Sequence, residues 1–136
     1  MKADHPALLA AQNSWRCVHA GDKEGWLALM DDDICVEDPI GVAVTNPTGD
    51  GVRGKAALAD FWEKNIAPAT ITIETHSSRT AGMESAHQLT LCTRFENGVT
   101  STVTGFFIYQ INEAGLLTNL RGYWDMDDMA FEQAAG

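Results

Sequence analysis

Two hydrophobic periods divide the chain. Up to about residue 68, apolar side chains recur at three- and four-residue steps, and from residue 70 they alternate with polar ones. Leu8, Leu9, Gln12, Trp15 and His19 follow the helical step. Asp4 is a suitable cap ahead of them, Pro6 fits the first turn, and Gly21 stops the run. Asp22 then caps a shorter helix carrying Trp26, Leu29 and Met30. A third helix opens at Gly54, places Leu58, Phe61, Trp62 and Ile66 on one side, and closes at Pro68. The alternating half predicts strands over 70–75, 86–95, 99–111 and 116–126, with turns at Asn97-Gly98 and Glu113-Ala114-Gly115. Residues 45–51, rich in Asn, Pro, Gly and Asp, read as a loop without structure of its own.

Helices followed by an antiparallel meander make an α+β layout in which the helices cover one face of a curved sheet. Such a sheet leaves a conical cavity beneath the helices, a usual place for a small molecule. On the long strand Val103, Gly105, Phe107 and Tyr109 share one face; on the last, Leu120, Gly122 and Trp124 do. The helical part is expected to contribute Ser14, Trp15, Val18, Met30 and Trp62. An apolar, aromatic pocket follows, and the glycines at 105 and 122 suggest space reserved for an occupant. Arg121 and Tyr123 alternate to the outer face, which predicts pairing with a second copy in a two-fold dimer.

One short strand breaks the pattern. After the acids Asp31, Asp32 and Asp33, read as an exposed helix end, Ile34, Val36 and Asp38 share a strand face. A carboxylate thus occupies a position where an apolar residue is expected, and Pro39 ends the strand immediately. Proline restricts the residue before it to extended conformations, so Asp38 is held in place. Burying a carboxylate is costly unless it is paired or neutralised, which marks Asp38 as a candidate proton-transfer group. Cys35 and Glu37 alternate away from it, and Glu37 is expected to be solvated.

Composition narrows the partners. A chain of 136 residues with 45% hydrophobic content supports a single globular domain over 1–136. The net charge of −10 argues against nucleic acid and anionic membrane. No apolar run is long enough to span a bilayer, and the first residues lack an apolar signal core. Three widely spaced cysteines without a CxxC pair point to free thiols in a reducing cytoplasm. The four histidines follow no metal spacing, so neither a metal nor another cofactor is expected.

Several segments together carry a resemblance: His19-Ala20-Gly21-Asp22, Ala28-Leu29-Met30, Val36-Glu37-Asp38-Pro39-Ile40-Gly41, Ala59-Asp60-Phe61-Trp62 and Gly122-Tyr123-Trp124. The chain resembles ketosteroid isomerases of the nuclear transport factor 2-like superfamily, and isomerase-like proteins common in actinobacteria, from about residue 7 to 128. That resemblance implies a cone-shaped barrel of strongly curved, mostly antiparallel sheet covered by three N-terminal helices, a homodimer, and a deep apolar pocket for a steroid or similar ring compound. It assigns Asp38 the role of general base. In that enzyme type the base works with an oxyanion hole made by a tyrosine and a protonated aspartate. Here those positions fall on Ser14 and Phe107, and two supporting tyrosines fall on Met30 and Trp62. Ser14, Tyr109 and the indoles of Trp15 and Trp62 remain as possible donors. Proton transfer by Asp38, a non-catalytic binding protein for hydrophobic ligands, and a polyketide cyclase- or dehydratase-like enzyme all stay open.

Overall fold

The computed structural model describes residues 1–133. Three helices, α1 (Pro6–Ala20), α2 (Lys23–Ala28) and α3 (Lys55–Phe61), precede most of the sheet, and α3 continues as a π-helical turn over Trp62–Ile66. The strands are β1 (Met30–Glu37), β2 (Val52–Arg53), β3 (Ala69–Ala81), β4 (Glu84–Phe95), β5 (Val99–Ile111), β6 (Leu117–Tyr123) and β7 (Ala130–Gln133). They form one curled, unclosed sheet in the order β2-β1-β6-β5-β4-β3, with β7 added to β5 beyond the end of β6. All pairings are antiparallel except β1 with β6.

The helix ends follow from local chemistry. His5, rather than Asp4, caps α1: its Nδ1 accepts from the Ala7 amide at 3.1 Å. Gly21, at φ 67, ends it in the left-handed conformation that only glycine adopts without cost. Asp22 Oδ1 accepts from the Gly25 amide at 2.9 Å and starts α2. The second helix is shorter than the apolar spacing predicts, because Met30 opens β1 instead of closing α2. Residues 31–33 therefore belong to a strand, not to a helix end.

The sheet departs from the sequence pattern in two places. A bulge between Thr75 and Ser77 shifts the register of β3 against β4, so the alternation that marks 70–75 changes phase and the strand runs on to Ala81. The last predicted strand ends at Tyr123, and an acidic 3₁₀ turn, Met126–Asp128, carries the chain into β7. The loop before β2 is also more ordered than its composition implies. Buried Asn46 donates to the Pro39 carbonyl at 2.9 Å and accepts from the Gly51 amide at 2.9 Å. Loop 39–51 thus folds around one amide side chain.

The core lies between the helices and the concave sheet face. Every second residue of β5 from Ser101 to Ile111 is buried. Leu58 from α3, Leu117 and Leu120 from β6, and Ile34 and Val36 from β1 close the same layer. Among the described residues, no helix is long and apolar enough to cross a membrane.

Candidate functional site

Asp38 sits one residue past the end of β1, where pairing with β6 continues through the Ile40 amide and the Gly122 carbonyl at 3.0 Å. From the other side, the Thr45 hydroxyl donates to the Asp38 carbonyl. The Asp38–Pro39 peptide bond is cis. Backbone contacts on both flanks therefore aim the carboxylate at the concave side.

There the Trp124 indole Nε1 donates to Asp38 Oδ1 at 2.9 Å. Gly122 makes this contact possible: a Cβ at that position would lie 2.8 Å from Asp38 Oδ1 and 3.2 Å from both Trp124 Nε1 and Phe107 Cε1. Gly105 does the same for the Trp124 ring, since its Cβ would stand 2.8 Å from the Tyr123 carbonyl oxygen and 3.0 Å from the Trp124 Cβ. The space left by these two glycines is filled by the site's own residues, not kept for a ligand. Burial holds the Asp38 carboxyl above its ordinary value, and the Trp124 bond works against that rise.

Asp38 faces a cavity of about 370 Å³, whose wall is overwhelmingly apolar. Ser14, Trp15, Val18, Val103, Phe107, Tyr109, Leu120 and Trp124 come together around it with Asp38. Met30 and Trp62 do not. Met30 is fully buried at the start of β1, because the chain leaves α2 before reaching it. Trp62 packs against Trp26, with ring centroids 5.1 Å apart, and borders a separate crevice at the start of β3.

The cavity also takes residues that the sequence reading passed over. Ile71 and Ile73 from β3 and Leu89 and Leu91 from β4 line it, and their alternation was a usable signal. Met129, just before β7, and Phe131 within it also reach the cavity, and the acidic approach to that strand gave no signal. Glu37 is less solvated than expected: its Oε1 lies 3.3 Å from Arg121 Nε, without hydrogen-bond geometry.

A polar cluster is built into the cavity wall, with His87 behind it. Trp15 Nε1 donates to Tyr109 Oη at 2.8 Å, and Trp26 Nε1 donates to Ser14 Oγ at 3.0 Å. Buried His87 stands edge-on to Trp15 and Tyr109, at 4.9 and 5.4 Å between centroids. Its ring nitrogens lie 2.7 Å from Ser78 Oγ and 2.7 Å from Ser85 Oγ. Burial pulls its pKa down to about 4, so the ring is neutral near pH 7. Among the described residues, no group of three or more His, Cys, Asp or Glu side chains forms a metal site. The arrangement can hold an apolar body and exchange a proton with it through one carboxylate.

The family described as the SnoaL-like domain matches residues 11–120. The crystal structure of a Delta 5-3-ketosteroid isomerase from Mycobacterium sp. is 56% identical, with a TM-score of 0.91 over 93% of this chain and 98% of that one. The Mycobacterium tuberculosis protein RV0760c, in complex with estradiol-17beta-hemisuccinate, is 51% identical with a TM-score of 0.89, over 93% of this chain and 98% of its own. A putative polyketide cyclase from Pseudomonas putida, at 20% identity and a TM-score of 0.71 over 88% and 91% of the two chains, shares the fold alone. No curated protein matches the chain.

Proposed function

We propose that this chain, which belongs to the SnoaL-like domain family and to the ketosteroid isomerase-like proteins of the nuclear transport factor 2-like superfamily, binds a planar polycyclic ketone and moves a proton within it through Asp38. The observation that carries the reading is the Asp38 carboxylate in the wall of an apolar cavity, with the Trp124 indole as its hydrogen-bond donor. A cavity of about 370 Å³ falls within the usual range for small-molecule sites, roughly 300–1,000 Å³. A pocket that only bound hydrocarbon would gain nothing from a desolvated carboxylate.

The chemistry is a proton shuttle. Ionised Asp38 takes a proton from the carbon between a carbonyl and a neighbouring double bond. The electron pair of that C–H bond passes through the π-system onto the ketone oxygen as a dienolate. Asp38 then returns the proton to the far alkene carbon, and the carbonyl re-forms in conjugation with the shifted double bond. A base serves this cycle only if it is ionised before the first step and protonated between the two, so a moderately raised pKa suits it.

Ser14 and Phe107 stand where the enzyme type places its tyrosine and protonated aspartate donors. Each lost oxyanion donor typically lowers the rate about 100- to 1,000-fold. With Phe107 unable to donate and the Ser14 hydroxyl shorter than a tyrosine's, the activity proposed is slower than with the full donor pair. Binding is tested by quenching of tryptophan emission, since Trp15, Trp26 and Trp124 all line the cavity. A 3-ketosteroid is expected to quench and saturate, and no saturable change with any planar polycyclic ligand would refute the reading.

A further inference from the structure

Two buried hydroxyls in the cavity wall have the same unusual wiring. Tyr109 is 4% exposed and Ser14 is 3% exposed. The oxygen of each accepts from an indole N–H: Trp15 to Tyr109 at 2.8 Å, Trp26 to Ser14 at 3.0 Å. Among the described residues, nothing accepts the hydroxyl proton of either. Buried hydroxyl protons are ordinarily bonded, and leaving one unmade is costly. Both side chains border the cavity.

The indoles settle which way the hydroxyls work. An indole N–H can only donate, so each hydroxyl oxygen is committed as an acceptor on that side and turns its proton elsewhere. Accepting a hydrogen bond also polarises the O–H and makes it a better donor. Position is fixed as well as polarity. The Trp15 and Tyr109 rings stand at 87° to each other with centroids 6.0 Å apart, and buried His87 packs edge-on against both. Ser14 and Trp15 are neighbours on α1, so the two wired hydroxyls are anchored by one helical turn.

We propose that the hydroxyls of Tyr109 and Ser14, each backed by an indole, donate hydrogen bonds to the ketone oxygen of the bound ligand. This rests on the reading of the cavity as a site for a planar ketone, and adds which end of the ligand is recognised and by what. Tyr109 is the new element, since it lies two residues beyond Phe107 on the same face of β5. The negative charge that reaches the ketone oxygen when Asp38 removes a proton is stabilised by the same two bonds. The site also discriminates: a ligand without an acceptor leaves two buried donors unpaired.

The test compares a 3-ketosteroid with its 3-deoxy analogue. In the unaltered protein the ketone is expected to bind at least about tenfold more tightly. In the double variant Tyr109→Phe/Ser14→Ala, which deletes two oxygens and little shape, that preference is expected to collapse, with the deoxy compound bound at least as tightly as by the unaltered protein. Retained deoxy binding also reports an intact pocket. A preference that survives in the double variant, or no preference in the unaltered protein, overturns the proposal while leaving the apolar site standing. If neither compound binds the unaltered protein, the reading of the cavity fails and the donor proposal with it.

Discussion

Gly122 and Asp38 approach so closely that no side chain fits between them. A Cβ on Gly122 would come within 2.8 Å of Asp38 Oδ1 while also crowding Trp124 Nε1 and the Phe107 ring at 3.2 Å. The neighbouring β6 strand therefore sets the carboxylate's position as firmly as its own strand does. Gly122→Ala is expected to push the carboxylate off the indole, with an overpacking cost of about 1–3 kcal/mol. Ligand-dependent proton transfer should fall together with thermal stability. Unchanged activity and melting temperature would show that the contact is not limiting.

Trp124 sets how readily Asp38 ionises. Its indole bond lowers a carboxyl pKa that burial raises. A hydrogen bond to the ionised form favours that form, so losing it raises the carboxyl pKa further. Trp124→Phe is expected to move the acid limb of the pH–rate profile upward. A limb that stays in place would assign it to another group.

Asp38 should cost stability at neutral pH. Its folded-state pKa lies above the ordinary value, so the folded protein holds the proton over a range where the unfolded chain has lost it. Stability contributed by the protonated carboxyl is present at low pH and falls as pH rises from the ordinary carboxyl value through the folded one. Asp38→Asn removes that loss, and Asn can still accept from Trp124. The variant is expected to melt higher than the parent at pH 7–8, by about 4 °C for each kcal/mol recovered, with the gap closing in acid. A lower melting temperature at neutral pH would contradict a desolvated carboxylate.

The outer sheet face exposes an aromatic pair. Tyr123 is 49% exposed and Phe106, its cross-strand partner, is 56% exposed. The Arg121 guanidinium lies 5.9 Å from the centre of the Tyr123 ring. We propose that this face pairs with its copy in a two-fold dimer, burying roughly 1,200–2,000 Å² in total. Light scattering at micromolar concentration should report twice the chain mass, and Tyr123→Glu should halve it. A monomeric parent protein would remove the proposal.

Much of the fold was legible because hydrophobic period, caps and turns agreed. Gly21, Asp22 and Gly54 marked helix boundaries by backbone chemistry, and Asn97-Gly98 placed the β4–β5 turn. What escaped depends on contacts distant in sequence. Met30 reads as the end of a helix until its pairing with Leu117 makes it the start of a strand. The bulge near His76 erases the alternation of β3, and β7 follows an acidic turn that resembles a tail. Within the cavity, strand phase brought Asp38, Phe107, Tyr109 and Trp124 together. The same reasoning misplaced Trp62, because helical spacing does not tell which neighbour, here Trp26, an indole will meet. Gly105 and Gly122 read as space for an occupant, but what fills it is Trp124 and Asp38.

The central claim is that Asp38 moves the proton while the apolar wall holds the ligand. The most direct measurement is the conversion of a β,γ-unsaturated 3-ketosteroid to its conjugated isomer, followed by ultraviolet absorbance, in the parent protein and in Asp38→Asn with binding measured in parallel. Both proteins are expected to bind the steroid with similar affinity. The parent should convert it slowly, and Asp38→Asn should lose about 100-fold or more of that rate. Conversion that is equally fast without the carboxylate, or binding that disappears with it, would contradict the account.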